Sequence, residues 1–166
     1  MFKRTAIIIG IVIAVCGMVQ ADGLYPLTTS EKADKGATHV FTFEHSDLTE
    51  SATNTAQALT FNVAAKMGVE VVAAELAEAF TDSATNAFDS VAVKVGDGTD
   101  DDMFLTSTEV NSYGTEVWLK YGRALSNKVY TATDTIDITV TPCATYALED
   151  LDAGEMKIYF RIRDAR

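Results

Sequence analysis

Apolar and polar side chains alternate with a two-residue period through most of the chain beyond residue 38. Residues 155–164 show this most clearly, because Met156, Ile158 and Phe160 share one face while polar or charged residues occupy the other. Successive side chains of a β-strand point to opposite faces, so this period predicts half-buried strands. The predicted strands are residues 38–44, 58–63, 90–95, 116–121, 135–141 and 155–164.

Residues 69–80 permit two interpretations. Val69, Val72 and Leu76 follow the spacing of a helical stripe, whereas Val72, Ala74 and Leu76 also share one face of a strand. Alanine and glutamate, which are frequent in this segment, favour a helix in isolation. The pattern of this segment alone therefore leaves helix and strand open.

Seven or eight short strands separated by turn residues predict an all-β protein, built as an antiparallel sandwich or a barrel. The strands follow one another without long helical segments, which argues against a parallel α/β sheet. A chain of 166 residues, of which 48% are hydrophobic, is suited to one compact domain with its own core. We therefore expect a single β domain over residues 38–166.

The N-terminus has the three parts of a secretory signal peptide. Lys3 and Arg4 precede an uncharged apolar run, and small or moderately sized residues lead up to Ala21. This pattern predicts export, with residues 1–21 removed by cleavage after Ala21. A permanent membrane anchor, a lipoprotein modified at Cys16 and a later true start are the alternatives.

The predicted mature chain begins with a polar segment. Residues 22–37 contain Gly, Pro, Ser, Thr and mixed charges, which predicts a flexible leader in front of the β domain. After cleavage we expect no membrane association and a periplasmic or extracellular location.

The formal net charge of -11 narrows the classes of partner. It argues against a nucleic-acid-binding protein, because contacts to phosphates need clustered Lys and Arg. It also argues against docking on anionic lipid. An acidic surface can instead recruit cations or basic protein partners.

Residues 96–102 form a predicted turn that carries Asp97, Asp100, Asp101 and Asp102. A bound calcium ion, which prefers oxygen ligands, would relieve the repulsion among these four carboxylates. The spacing lacks the distal glutamate of a known calcium loop. The alternative is a solvated turn in which Asp side chains bond to nearby backbone amides.

Two sets of residues are candidates for contact with a partner. Lys157, Arg161 and Arg163 form a cationic row on the last predicted strand, which suits an acidic face of a neighbouring molecule. The alternative role of this row is to guard an edge strand against aggregation. Trp118 and Tyr121 lie close together in the sequence and suit either an aromatic platform for a partner or sugar, or packing in the core.

The sequence contains no catalytic motif. We find neither a serine-centred nucleophile elbow nor a glycine-rich phosphate loop after a strand. Paired carboxylates are common on acidic surfaces and do not by themselves indicate catalysis. We therefore do not expect an enzyme, and calcium is the one cofactor considered.

The chain also carries a set of short turn and strand motifs. They are residues 41–43 (FTF), 47–49 (DLT), 95–105 (VGDGTDDDMFL), 108–111 (TEVN), 114–117 (GTEV) and 151–161 (LDAGEMKIYFR). Together they resemble small structural proteins of tailed-phage virions, of the head-decoration or minor-capsid kind. The resemblance covers nearly all of the chain after the leader.

This resemblance implies a jelly-roll-like β-sandwich in which residues 69–80 form a strand. It also implies a virion protein that sits on a capsid surface or forms a spike, and that clamps neighbouring subunits, often as a trimer. The expected function is a non-catalytic structural protein that acts by protein–protein contact in a homo-oligomer or a capsid-type lattice. A secreted binding module, of the adhesin or carbohydrate-binding type, is the alternative.

Overall fold

The computed structural model describes residues 23–82, 90–111, 117–119, 127–143 and 145–166, with the backbone alone described for residues 117–119. These residues form two antiparallel sheets. The larger sheet contains β1 (Leu24–Pro26), β2 (His39–Glu44), β4 (Met67–Thr81), β7 (Val117–Leu119), β8 (Lys128–Val129) and β10 (Ala153–Asp164). The smaller sheet contains β3 (Gln57–Val63), β5 (Val91–Asp97), β6 (Leu105–Glu109) and β9 (Asp134–Pro142). One α-helix, α1 (Thr29–Lys35), and two 3₁₀ turns, His45–Asp47 and Leu148–Asp150, complete the described elements.

The order of the strands is that of a jelly roll. The larger sheet runs β1-β2-β10-β4-β7, with β8 also paired to β4, and the smaller sheet runs β3-β9-β5-β6. The chain changes sheet at each step from β2 to β5, again between β6 and β7, and twice more to reach β9 and β10. Strands connected in this way form two Greek keys. The expected antiparallel, jelly-roll-like sandwich is therefore confirmed.

Residues 69–80, for which the sequence left helix and strand open, belong to strand β4. It pairs with β10 along its length, from Met67 opposite Asp164 to Thr81 opposite Ala153. On its other side it pairs with β7 and β8. The helix preference of alanine and glutamate amounts to roughly a few tenths of a kcal/mol per residue, and pairing on both sides outweighs it. The strand implied by the resemblance is confirmed.

Phenylalanine rings fill the space between the two sheets. Phe61 of β3 meets Phe160 of β10 edge to face, with ring centroids 5.1 Å apart, and stacks on Phe41 of β2 at 5.8 Å. Phe43 and Phe80 stack at 5.5 Å. All five side chains are buried. The contacts of Phe61 join the smaller sheet to the larger one, and Phe43 and Phe80 pack against each other within the larger sheet. Burial of these rings therefore helps to hold the sandwich together.

The structure differs from the flexible leader predicted for residues 22–37. Within this segment β1 pairs with β2, and α1 begins with a capping box in which Thr28 and Glu31 exchange hydrogen bonds. The helix ends at Gly36, whose φ of 67° is left-handed. Apolar residues on either side of α1 pack with Tyr159 on the outer face of the larger sheet. Residues 24–37 therefore contain regular secondary structure that covers this face, and their Thr-x-x-Glu spacing is a helix start signal readable in the sequence.

The sequence prediction also missed β6 and β8. The residues of β6 (LTSTE) show little apolar alternation, and β8 is two residues long. Each pairs at the margin of a sheet, β6 with β5 and β8 with β4. Their extended conformation therefore depends on the neighbouring strand rather than on their own sequence.

Gly154 interrupts the pairing of β10 with β4. The register shifts between Ala153 and Glu155, and Gly154 has a φ of 140°. A Cβ atom at this position would lie 2.3 Å from Cδ1 of Phe80. Glycine is therefore required both for the backbone conformation and for the close approach of a buried ring.

We expect Gly154→Ala to lower the free energy of unfolding by about 2 to 4 kcal/mol, because it adds backbone strain and overpacks the core beside Phe80. Urea unfolding followed by circular dichroism measures the change. Gly98→Ala is the matched control, since a Cβ there meets no atom within 4 Å, and should change stability by less than about 0.5 kcal/mol. Equal stability of the two variants would contradict this account of Gly154.

Candidate functional site

Asp97, the last residue of β5, is buried rather than exposed on the acidic loop. Its Oδ2 forms an ion pair with Nζ of Lys128 and accepts a hydrogen bond from Oη of Tyr130 at 2.8 Å. Its Oδ1 accepts the backbone N–H groups of Thr99 at 2.9 Å and Asp100 at 3.2 Å. Asp97 thus connects a strand end of the smaller sheet to β8 of the larger sheet.

The contacts of Asp97 determine its ionisation. Burial raises its pKa, but the hydrogen bonds from Lys128, Tyr130 and two backbone amides together outweigh burial and lower the pKa to about 2. The pKa of Tyr130 is raised, first by burial and then by its hydrogen bond to Asp97. At neutral pH the carboxylate is charged and the phenol is protonated. The carboxylate oxygens of Asp97, a predicted calcium ligand, therefore already contact donors of the same chain.

Gly96 allows the acidic loop to fold back over the end of β5. A Cβ at Gly96 would lie 2.2 Å from the carbonyl oxygen of Asp100 and 2.2 Å from the carbonyl carbon of Asp101. In the closed loop the backbone N–H of Asp97 donates to the Asp100 carbonyl at 2.9 Å. The absence of a side chain at Gly96 is thus what permits the loop to close, a role that the sequence analysis did not identify.

Asp100, Asp101 and Asp102 are exposed, and their carboxylate oxygens lie within 4.8 Å of one another. Lys94 forms an ion pair with Asp101. The pKa of Asp102 is raised, first by a hydrogen bond with the Asp100 side chain and also by neighbouring negative charges. Oxygen donors of this kind bind calcium, and Lys94 already supplies one compensating charge. The calcium site stays a prediction, and Asp97 is not part of this cluster.

The cationic row on β10 does not lie at the edge of a sheet. β10 is flanked by β2 and β4, so its interpretation as a guarded edge strand is wrong. Arg161 forms an ion pair with Glu70 at 2.8 Å, and Lys157 forms one with Glu155 at 2.8 Å. Arg163 is exposed and has no ion pair with any residue that the structure describes. Two of the three predicted contact cations therefore have their charges compensated within the chain.

Tyr159 anchors α1 to the outer face of the larger sheet. Its hydroxyl donates to Oε2 of Glu75 at 2.7 Å, and Nζ of Lys35 lies 5.4 Å from the centre of its ring. Burial, and then the hydrogen bond to Glu75, raise the pKa of Tyr159. These contacts join the helix, β10 and β4.

The predicted aromatic platform falls largely outside the described residues. Trp118 lies on β7, where its backbone pairs opposite Glu75 of β4, but its side chain is not described. Tyr121 lies outside the described residues altogether. Contact of these two side chains with a partner or a sugar stays a prediction.

A groove of about 780 Å³ opens along the seam between the two sheets. Thr60 of β3 lines one side and Phe43 of β2 the other. Tyr25 is 52% exposed beside the groove, and Glu44 and Asp47 place carboxylates on its lining. The groove has no signature in the sequence, because the seam joins segments that show no common motif.

The chain matches no protein-family model and no curated protein sequence. Among the residues that the structure describes, no helix is both long enough and apolar enough to span a membrane.

Asp97 should make stability depend on pH in the acid range. Its pKa of about 2 in the folded protein lies below the ordinary value of 3.8. Its contribution is therefore complete above about pH 5 and is lost as the pH falls through 3.8 towards 2, by on the order of 2 kcal/mol. Urea unfolding of the wild type and of Asp97→Asn between pH 7 and 2 measures the effect.

The variant should be the less stable protein at pH 7, and the difference should narrow as the pH approaches 2. Asp101→Asn is the control, because an exposed carboxylate should change stability by less than about 0.5 kcal/mol. A difference between wild type and Asp97→Asn that stays constant over the whole range would contradict this role.

Proposed function

We propose that this protein is a non-catalytic structural subunit that acts through protein–protein contact. The jelly roll is an architecture of viral capsid proteins and also of lectin domains, so the fold by itself does not decide the function. The observation that carries the proposal is the set of contacts that the described ionisable groups make. The groups with the largest pKa changes, Asp97, Tyr130 and Tyr159, are buried and hydrogen-bonded within the fold.

Asp97, Tyr130 and Tyr159 have the most strongly shifted pKa values among the described residues. Catalytic groups combine a shifted pKa with access to a reacting group of the substrate. Here the Asp97–Tyr130 bond connects the end of β5 to the residue that follows β8, and the Tyr159–Glu75 bond connects β10 to β4. Each shift therefore has a structural cause, which supports a structural role.

The motifs that resemble head-decoration and minor virion proteins support the same proposal. The jelly roll is the fold that this resemblance implies, and such proteins act by contact with neighbouring subunits. Export is the second part of the proposal. It is motivated by Lys3 and Arg4, the apolar run that follows them and the cleavage pattern ending at Ala21.

We expect the exported protein to associate as its concentration rises. Sedimentation velocity across a micromolar concentration series measures this, and the intact mass of the same sample shows whether residues 1–21 have been removed. Added salt should strengthen the association of copies, because it screens the repulsion due to a net charge of -11. A strict monomer at the highest concentration, in low and high salt, would contradict the proposal.

A secreted carbohydrate-binding module is the second candidate, and the groove at the seam favours it. Sugar rings stack on aromatic faces, and their hydroxyl groups donate to carboxylates. Tyr25 supplies an exposed ring, and Glu44 and Asp47 supply carboxylates in the same groove. Trp118 and Tyr121 are the aromatic residues that the sequence suggests for this role.

If the groove binds a sugar, Tyr25→Ala should weaken binding to a glycan array by at least about tenfold, which corresponds to 1.4 kcal/mol. Trp118→Ala tests the residue suggested by the sequence in the same assay. Val129→Ala is the control, because Val129 is equally exposed, at 52%, but does not line the groove. Failure of the wild type to bind any glycan would remove this candidate.

A further inference from the structure

The edges of the two sheets differ in how well they are protected against pairing with another chain. Natural edge strands are kept short, or carry proline, bulges or charges. In the described part of the chain, β1 is three residues long and ends at Pro26, while β7 and β8 have three and two residues. β6 shifts register against β5 and ends at Glu109. Each of these edges has at least one protective feature.

Strand β3 has none of these features. It is seven residues long, with the sequence QALTFNV, and contains no charge, glycine or proline. Its register with β9 runs without a shift from Gln57 to Val63. Among the described residues its backbone pairs with no strand other than β9, and Ala58, Thr60 and Asn62 are exposed. Within the described part of the chain, β3 therefore offers an unpaired and uncharged edge.

Net charge limits where two copies of this chain can meet. A twofold contact brings the same surface patch of each copy face to face, and like charges directly opposite each other are unfavourable. A chain with a net charge of -11 therefore needs an uncharged patch for such a contact. Strand β3 provides one along its full length.

We propose that β3 pairs antiparallel with β3 of a second copy across a twofold axis at Thr60. This inference rests on the proposed function and names the partner: another copy of the same chain. The pairing places Thr60 opposite its own counterpart and Ala58 opposite Asn62, so no charges within the strands oppose each other. It joins the two four-stranded sheets into one continuous sheet.

Charges that flank β3 are complementary in this arrangement. The side chain of Gln57 accepts the backbone N–H of Glu50 at 3.0 Å and so holds an acidic loop at the start of the strand. Lys66, which is exposed, follows the end of the strand. Antiparallel pairing brings the start of one β3 beside the end of the other, and therefore Glu50 towards Lys66 at both ends of the contact. The nearest carboxylate on the sheet face, Asp137, already accepts the Thr60 hydroxyl at 3.0 Å.

Charge variants at the twofold axis test the proposal. Thr60→Lys and Thr60→Glu each place like charges opposite each other, so each should raise the dissociation constant of the dimer at least about tenfold. An equimolar mixture of the two variants should restore association, because lysine then faces glutamate. Sedimentation velocity measures all three samples, and circular dichroism confirms that each variant is folded.

Thr139→Lys is the matched control. Thr139 lies opposite Ala58 on β9, away from the sheet edge, and its substitution should leave association unchanged. If the wild type associates but Thr60→Lys associates equally well, or if the mixture fails to restore association, β3 pairing is overturned while the structural function stands. A wild type that never associates would overturn both.

Discussion

The sandwich depends on β10, which lies between β2 and β4 and carries Phe160 across to Phe61 of the smaller sheet. One strand therefore supplies backbone pairing to two neighbours and the central aromatic contact between the sheets. It is the last of the described strands, and its pairing with β2 joins residues more than a hundred positions apart. The larger sheet is thus completed only by contacts of long sequence separation, which require most of the chain to be in place.

Several of the cations of this chain form ion pairs within the fold. The chain has 13 Lys and Arg against 24 Asp and Glu, and Lys94, Lys128, Lys157 and Arg161 each pair with a carboxylate of the same chain. Pairs of this kind orient strands and loops, and the one at Asp97 is buried. The remaining acidic side chains that the structure describes lie at the surface. Their charge repels other copies of the chain unless two copies meet at a neutral edge.

The outer faces of the two sheets are covered to different extents. The segment before β2 folds back as β1 and α1, so it covers the outer face of the larger sheet and packs with Tyr159. The described residues place no helix over the smaller sheet. Its β3 edge, on which the inferred twofold contact depends, is therefore left uncovered by any described helix.

The sequence by itself determined the strands with a clear two-residue period, which the structure shows as β2, β3, β5, β9 and β10, because alternation reports burial of one face directly. It did not determine β4, because pairing with strands on both sides outweighs the local preference for a helix. It left open whether the cationic row marks an edge strand, because side-chain charge does not reveal that β10 is central. Asp97 looked exposed because its donors Lys128 and Tyr130 lie 31 and 33 residues away. Which strand is an edge and which carboxylate is buried are properties of strand order, and only the tertiary structure decides that order.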